Sequence, residues 1–207
     1  MFGHSFVVGF ESAIEQRLDP RMERGMRLGQ RGIRIRLRFD GKGGRKISEV
    51  DEQTASKIRS SNSEVLVLML GGNDISFDVC AEEIAARIEA FAEMCVSRWG
   101  IRKVVVCQVM PRYEAPKYLL KRVRRSEREE WADRYVVMYR RKAREINRLL
   151  GIALFRSRNI RFWDHNGVFK SGTCRHKYQV DGIHLNRAGQ WHLYKSLRGA
   201  ITAAMRH

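Results

Sequence analysis

The sequence has few acidic residues and no long apolar runs. It contains 23 Asp and Glu against 40 Lys and Arg, which leaves a formal net charge of +17 and a sequence pI near 10.4. No apolar run is long enough to cross a membrane, and the N-terminus lacks the pattern of a signal peptide. These absences argue against a protein that works within a membrane.

Cysteine is scarce, and its spacing disfavours a common metal motif. The four cysteines, at positions 80, 95, 107 and 174, never form a C-x-x-C pair, so the sequence predicts neither a zinc site nor any other metal or cofactor. Cys95 and Cys107 fall within apolar patterns and are predicted to be buried. This usage favours an intracellular compartment, cytoplasmic or nuclear, over secretion. A missing upstream segment that held a signal peptide would reverse that prediction.

The positive charge is concentrated in two segments. Residues 17–46 hold 11 basic and 3 acidic side chains, and residues 112–148 hold 13 and 6, so the two segments supply 15 of the 17 net charges. Two interpretations stay open: a polyanion partner such as RNA, and a solvated cationic surface that keeps the protein soluble. The nucleic-acid interpretation rests on a set of basic residues from both segments: Arg34, Arg36, Arg38, Lys121, Arg122, Arg124 and Arg125.

Predicted strands and helices alternate along the 207 residues, which indicates one α/β domain with a parallel sheet covered on both faces. Strands are predicted in RGIRIRLRF (31–39), EVLVLML (64–70), KVVVCQVMP (103–111) and IRFWD (160–164). Helices are predicted over about 48–60, 81–100 and 126–150, and a last helix begins after Asn186, a candidate N-cap.

Polar motifs follow these strands. They are GHS at 3–5, GKGG at 41–44, GGND at 71–74 and the loop that leads to DGIHLN at 181–186. Because ligands bind at the carboxyl ends of the strands in such sheets, we expect these motifs to converge at one edge of the domain. This convergence is the main evidence for a functional site that the sequence alone provides.

The residue types in these motifs suit nucleophilic catalysis. A serine hydroxyl such as that of Ser5 is a weak nucleophile and needs a base within hydrogen-bond reach. Asp181 and His184 are three residues apart, so the carboxylate can orient the imidazole as that base. The backbone N–H groups of glycine-rich turns and the side-chain amides of asparagine can donate hydrogen bonds to a developing oxyanion. Gly44 and Asn73 lie in turns suited to this role.

The order Ser, Gly, Asn and then Asp-x-x-His resembles the SGNH (GDSL-type) hydrolase family over essentially the whole chain. The resemblance implies a three-layer, flavodoxin-like α/β/α domain with strand order 2-1-3-4-5 that hydrolyses esters, often acyl or acetyl groups. By motif, Ser5 would be the nucleophile, and its N–H would form the oxyanion hole with Gly44 and Asn73. His184 would be the base, and Asp181 would be its partner. A small acyl ester is the implied substrate.

The GHSFV stretch also resembles, more loosely, the esterase-like domains in the first open reading frames of some LINE retrotransposons and in related uncharacterised animal proteins. In those elements the neighbouring protein is thought to handle RNA. This resemblance keeps open the alternative of a nucleic-acid-binding module on an SGNH fold with weak or lost catalysis.

The chain departs from the family pattern at two points. His4 replaces the usual aspartate of GDS, and we expect it to structure the loop or to be exposed rather than to act as a second base. Only Met1 and Phe2 precede the GHS motif, so the normally central first strand is expected to be nearly absent. We therefore expect the sequence to be a fragment of a longer chain.

Other candidates have structural explanations. Arg112 follows a strand end and is interpreted either as a contact for an anionic substrate or as a plain surface arginine. Asp74 is expected to structure its loop, and His165 is expected to be a loop residue rather than part of a substrate pocket. The helix aromatics Trp131, Tyr135 and Tyr139 are predicted to be core residues and not a surface on which bases stack.

Overall fold

The computed structural model describes residues 1–23, 26, 28, 36–50, 52–170 and 172–206. Arg34 and most of the predicted strand over residues 31–39 therefore lie outside the described residues. Only positions 36–39 of that strand can be compared with the structure.

Five parallel strands form the central sheet. They are β1 (Phe2–Gly3), β2 (Asp40–Gly41), β3 (Val65–Met69), β4 (Lys103–Cys107) and β5 (Ile160–Trp163), and their spatial order is β2-β1-β3-β4-β5. This is the 2-1-3-4-5 order that the family resemblance implied, and all four neighbouring pairs are parallel. The predicted fold class is confirmed.

Helices cover both faces of this sheet. They are α1 (Ser5–Glu15), α2 (Glu52–Ser60), α3 (Ala81–Ser97), α4 (Lys117–Leu120), α5 (Arg128–Ala153) and α6 (Arg187–Met205). The helices predicted over 48–60, 81–100 and 126–150 correspond to α2, α3 and α5 with shifted ends. The predicted N-cap of α6 is confirmed, because the side chain of Asn186 accepts a hydrogen bond from the N–H of Gly189 at 3.0 Å.

The alternation of apolar side chains along the strands creates two cores. Leu66 and Leu68 of β3 point to the face covered by α3 and α5, whereas Val67 and Met69 point to the face covered by α1 and α6. The buried run predicted for this strand is thereby explained, since both of its faces are covered. Cys95 and Cys107 are buried, one in each core, as predicted.

The short first strand determines the extent of β2. β1 is present but has only two residues, and these pair with both neighbours: Phe2 with Asp40 and Leu68, and Gly3 with Gly41 and Met69. The prediction of a strand over 31–39 is wrong for residues 36–39, which lie just before β2. A two-residue β1 offers hydrogen-bonding partners for only a short stretch of its neighbour, so the alternation of Arg and apolar residues does not become a ladder there.

Across the described ranges, no helix combines the length and the apolar character needed to cross a membrane.

Candidate active site

The predicted motifs meet at the carboxyl edge of the sheet. Gly3 of β1 pairs with Gly41 of β2 and with Met69 of β3, and all three strands are parallel. Ser5 follows this row directly as the first residue of α1. The turn with Gly44 and the loop with Asn73 leave the neighbouring strands at the same edge. The convergence predicted from the order of elements is therefore present.

Ser5 begins α1 two residues after Gly3, the last residue of β1, and the residue between them, His4, is the N-cap. The His4 ring is buried, and its Nδ1 accepts the N–H of Phe6 at 3.5 Å. Burial, together with smaller contributions from the charge of Arg112 and from His184, lowers the pKa of His4 to about 3. His4 is thus a neutral residue that structures the loop, as expected, and the alternative of an exposed side chain is wrong.

The glycine turn after β2 is closed by backbone and side chain together. The N–H of Arg45 donates to the carbonyl of Lys42 at 3.2 Å, and Gly44 has φ +75°, a value that glycine adopts without strain. The buried guanidinium of Arg45 donates to the carbonyl of Gly3 at 3.2 Å and to that of Asp40 at 2.7 Å. This arginine, which the sequence pattern did not single out, joins the turn to β1.

The amide of Asn73 is held at both ends. Its Nδ2 donates to the carbonyl of Arg45 at 3.2 Å, which brings Asn73 to the turn that carries Gly44. Its Oδ1 accepts a hydrogen bond from Nη2 of Arg112 at 2.7 Å. Next to it, the Asp74 carboxylate accepts the N–H of Ile47 at 3.1 Å, so this residue structures its loop as expected.

Asp181 and His184 form the predicted carboxylate–imidazole pair. Nδ1 of His184 lies 2.6 Å from Oδ2 of Asp181, and Oδ1 accepts the backbone N–H groups of Ile183 at 2.9 Å and of His184 at 3.0 Å. Partial burial favours the neutral acid, but these hydrogen bonds outweigh it and hold the pKa of Asp181 below its ordinary value. The ionised carboxylate fixes Nδ1 as the protonated nitrogen, which leaves Nε2 as the basic atom.

The segment after β4 connects this pair to the rest of the edge. The N–H of Tyr113 donates to the carbonyl of Gly182 at 2.8 Å, one residue after Asp181. Gly182 has φ +65°, and a Cβ built there would lie 2.5 Å from Cγ of Glu114 and 2.8 Å from its backbone nitrogen. Glycine is therefore required for the Asp-x-x-His loop to lie against the loop that follows β4.

The structure excludes one of the two interpretations of Arg112, that of a plain surface arginine. It is 6% exposed, so it is not a surface arginine, and its guanidinium binds protein groups. Nη1 donates to the hydroxyl of Tyr135 at 3.0 Å, and the group lies 4.6 Å from the centre of the Tyr139 ring. Both tyrosines are buried as predicted. The helical spacing of apolar residues in the sequence does not predict their contacts with Arg112.

His165 lies away from this arrangement. It is fully buried, its Nδ1 is 2.9 Å from the hydroxyl oxygen of Ser196, and burial lowers its pKa to about 3. The same hydroxyl accepts the indole N–H of Trp163 at 2.8 Å. It is a packed residue of the loop after β5, in agreement with the structural interpretation.

Contacts join some of the predicted site residues directly and others through neighbours. Asp181 and His184 are hydrogen-bonded, and Asn73 is bonded to the residue after Gly44. Within the described ranges, the hydroxyl of Ser5 makes no hydrogen bond. Ser5 is placed at the same edge by its neighbour His4, whose backbone N–H donates to the carbonyl of Met69 at 3.2 Å.

The basic residues singled out from the sequence do not join this site as a group. Arg36 and Arg38 are exposed and precede β2, and Arg34 lies outside the described residues. The members of the second group are all exposed between α4 and α5: Lys121, Arg122, Arg124 and Arg125.

The comparison with protein families identifies the chain. The GDSL-like Lipase/Acylhydrolase family matches residues 1–192, and the chain belongs to this family. No curated protein matches the chain.

Solved structures share the fold at low sequence identity. A GDSL-like lipase from Bacteroides thetaiotaomicron matches with TM-score 0.65 and 16% identity, over 98% of this chain and 86% of its own. A carbohydrate esterase family 3 protein from Talaromyces cellulolyticus matches with TM-score 0.60 and 14% identity, over 99% and 96%. The lipase/acylhydrolase from Enterococcus faecalis matches with TM-score 0.58 and 16% identity, over 98% and 93%. At these sequence identities, the similarity shows a shared fold.

Proposed function

We propose that the protein is a serine ester hydrolase that works through an acyl-enzyme. The observation that carries the proposal is the 2.6 Å bond between Asp181 and His184, on a loop tied to the edge where Ser5 begins a helix. Membership in the GDSL-like lipase/acylhydrolase family supports the same reaction class.

In the proposed reaction, Nε2 of His184 removes the proton from the Ser5 hydroxyl as Oγ attacks the carbonyl carbon of an ester. The tetrahedral oxyanion is stabilised by the N–H groups of Ser5 and Gly44 and by Nδ2 of Asn73. The protonated His184, stabilised by Asp181, then gives its proton to the leaving alcohol. Water, activated by the same imidazole, releases the acid and restores Ser5.

A hydrogen bond between the Ser5 hydroxyl and Nε2 of His184 is part of the proposed mechanism. Catalytic hydrogen bonds are often long before substrate binds and tighten in the complex, so the unbonded hydroxyl of Ser5 is compatible with this role. The His184 side chain is 46% exposed and that of Asp181 is 35% exposed, so solvent reaches the base directly. This openness suits a small acyl ester, and p-nitrophenyl acetate is an appropriate first substrate.

Labelling with a fluorophosphonate, read by intact mass, tests the nucleophile. We expect one adduct on the wild type and none on Ser5→Ala, with circular dichroism confirming that both proteins are folded. Ser12→Ala is the matched control, because Ser12 lies in the same helix and accepts a hydrogen bond from Gln16. Absence of labelling in a folded wild type, or labelling of Ser5→Ala, would contradict the proposal.

We also propose a second candidate function, the binding of RNA through a basic segment, defined here as residues 117–128. The segment holds six basic residues and one acidic residue, Glu127, and all six basic side chains are exposed. Tyr118 is 60% exposed in the same segment and offers a ring on which a base can stack. The looser resemblance of GHSFV to retrotransposon domains supports the same partner class.

Fluorescence anisotropy with a single-stranded RNA over a range of salt concentrations tests this second function. We expect that changing Lys121, Arg122, Arg124 and Arg125 together to Gln lowers the affinity and reduces the slope of log K against log salt by about 2 to 3. The control removes the same charge at the other edge of the sheet, by changing Arg98, Arg102, Arg156 and Arg158 to Gln. Equal losses in both variants would indicate a non-specific effect of net charge and contradict an RNA site.

A further inference from the structure

Arg112 is a buried cation at the candidate active site. Its side chain makes no salt bridge to a carboxylate of any described residue, although only 6% of the residue is exposed. Burial of a charge without a counter-ion costs free energy, and an apolar side chain of similar size is often as stable or more stable. The arrangement is therefore better explained by what the guanidinium does to its neighbours than by packing.

The first effect is on the orientation of the Asn73 amide. Oδ1 of Asn73 accepts a hydrogen bond from the Arg112 guanidinium at 2.7 Å, while Nδ2 donates to the carbonyl of Arg45 at 3.2 Å. A flipped amide would place its NH₂ against a guanidinium that has only donors, and its oxygen against a carbonyl oxygen. Only one orientation satisfies both neighbours, and it leaves the second hydrogen of Nδ2 available to a ligand.

The second effect is electrostatic. A hydrogen bond from a cation to Oδ1 polarises the amide and makes its N–H groups stronger donors. The charge of Arg112 also lies one hydrogen bond behind the point where the oxyanion would form. Both effects grow as negative charge develops on the substrate oxygen, so they act more on the transition state than on the bound ester.

Helix α5 holds Arg112 in place. The hydroxyl of Tyr135 accepts from Nη1 at 3.0 Å, and the guanidinium lies over the Tyr139 ring at 4.6 Å. The Tyr139 hydroxyl in turn donates to the carbonyl of Met110 at 3.3 Å, close to Arg112 along the chain. The position of the guanidinium is thus fixed from the helix and from the loop after β4.

We propose that Arg112 is the positioning residue for the Asn73 oxyanion donor: it orients and polarises the amide without contacting the substrate. This inference rests on the proposed ester hydrolysis. Arg112 is also the reason that Asn73 presents its nitrogen, rather than its oxygen, to the reacting carbonyl.

A double-mutant cycle tests the proposal by measuring kcat and KM with p-nitrophenyl acetate for the wild type, R112Q, N73A and R112Q/N73A. We expect R112Q to lower kcat about 10- to 100-fold and to change KM by less than about threefold. In the N73A background the same change should cost less than about threefold, because the group through which Arg112 acts is already absent. Arg112→Lys, which keeps the charge and can still donate to Oδ1 of Asn73, should recover about fivefold or more relative to R112Q.

Two further variants distinguish the loss of the Arg112 contacts from a general loss of folding. Tyr135→Phe removes one acceptor of Arg112 and keeps the ring, and we expect it to lower kcat about 3- to 10-fold. Arg21→Gln is the control, because Arg21 also stacks on an aromatic ring, that of Trp191 at 4.2 Å, but donates its side-chain hydrogen bonds to Asp19 and not to Asn73. It should retain wild-type kcat. Circular dichroism and thermal melting establish that each protein is folded.

Equal losses from R112Q in both backgrounds, or a rise in KM with unchanged kcat, would overturn the proposal, since Arg112 would then act on the substrate itself. Full activity of R112Q would also overturn it. A readout without turnover separates this failure from failure of the proposed function: the NMR signals of the Asn73 side-chain amide. We expect them to be dispersed in the wild type and to move toward solvent-exposed values in R112Q. An inactive, unlabelled wild type would refute the esterase, whereas unchanged amide signals in R112Q would refute the role of Arg112.

Discussion

The imidazole of His184 and the carboxylate of Asp181 are joined by a 2.6 Å hydrogen bond within a single loop. The same carboxylate accepts two backbone N–H groups through its other oxygen. Orientation of the ring therefore depends on a folded loop of four residues, and not on a carboxylate brought from elsewhere in the chain.

We expect D181N to lower kcat by about 10²-fold or more without unfolding the protein. The introduced amide oxygen can still accept the backbone N–H groups, but its NH₂ group faces Nδ1 of His184 and forces the proton to Nε2. The base is then unavailable to Ser5. Steady-state hydrolysis of p-nitrophenyl acetate measures the effect.

Asp164→Asn is the control for this change, since Asp164 also accepts a backbone N–H two residues ahead, that of Asn166 at 2.8 Å. It should retain activity. Wild-type kcat in D181N would show that His184 works without its partner, which would remove Asp181 from the proposed mechanism.

His4 and His165, both buried, should make the protein less stable in mild acid. Burial lowers the pKa of His4 and of His165 from 6.5 to about 3. Between these values the unfolded chain binds protons that the folded chain does not, so stability rises with pH in this window and falls as the pH drops from 6.5. For His165 alone, we expect a loss of about 2 kcal/mol between pH 7 and pH 5.

Urea unfolding at these two pH values measures the effect in the wild type and in His165→Gln. The variant should be less stable at pH 7 but should show a smaller difference between the two pH values. His176→Gln, which changes an exposed histidine, should behave like the wild type. An identical pH dependence in wild type and His165→Gln would mean that this histidine is protonated in the folded state.

Gly3 should not tolerate a side chain. A Cβ at this position would lie 2.3 Å from the carbonyl oxygen of Met69 and 2.9 Å from Cγ2 of Val7. Because that carbonyl belongs to the neighbouring strand, Gly3→Ala must push β1 away from β3, and we expect a loss of about 2 kcal/mol or more. Chemical denaturation measures it.

Gly43→Ala provides the comparison, because a Cβ there has no heavy atom of the described residues within 4 Å. Its stability should stay within about 0.5 kcal/mol of the wild type. If Gly3→Ala were equally stable, the close approach of β1 and β3 would be wrong.

Asn147 should stabilise the segment that leads from β4 to Arg112. Its Oδ1 accepts the N–H of Val109 at 2.7 Å, and its Nδ2 donates to the carbonyl of the same residue at 3.0 Å. Asn147→Ala leaves both backbone groups without these partners, so we expect a loss of about 1 to 3 kcal/mol in chemical denaturation.

Asn159→Ala is the control, because the side chain of Asn159 is exposed and, among the described residues, its hydrogen bonding is limited to a 3.4 Å contact with Lys103. A stability loss in Asn159→Ala as large as that in Asn147→Ala would show that the hydrogen bonds to Val109 do not stabilise the fold specifically.

Local sequence patterns were sufficient to predict the class of the fold and the position of the motifs. The buried run of β3, the helical spacing of α3 and α5, and Asn186 as a cap are all local signals, because they depend on residues within a few positions of one another. Parallel strands then place their following loops at one edge, so convergence of GHS, GKGG, GGND and DGIHLN followed from order alone.

Which residues contact each other at that edge depends on how distant segments of the chain pack together. The strand predicted over 31–39 is wrong for residues 36–39, because a strand needs a neighbouring strand to pair with and β1 supplies only two residues. Arg112 was ambiguous because its burial depends on α5, whose tyrosines are 23 and 27 residues further along the chain. Arg45, His4 and the orientation of the Asn73 amide were decided in the same way, by contacts between distant segments that local patterns do not encode.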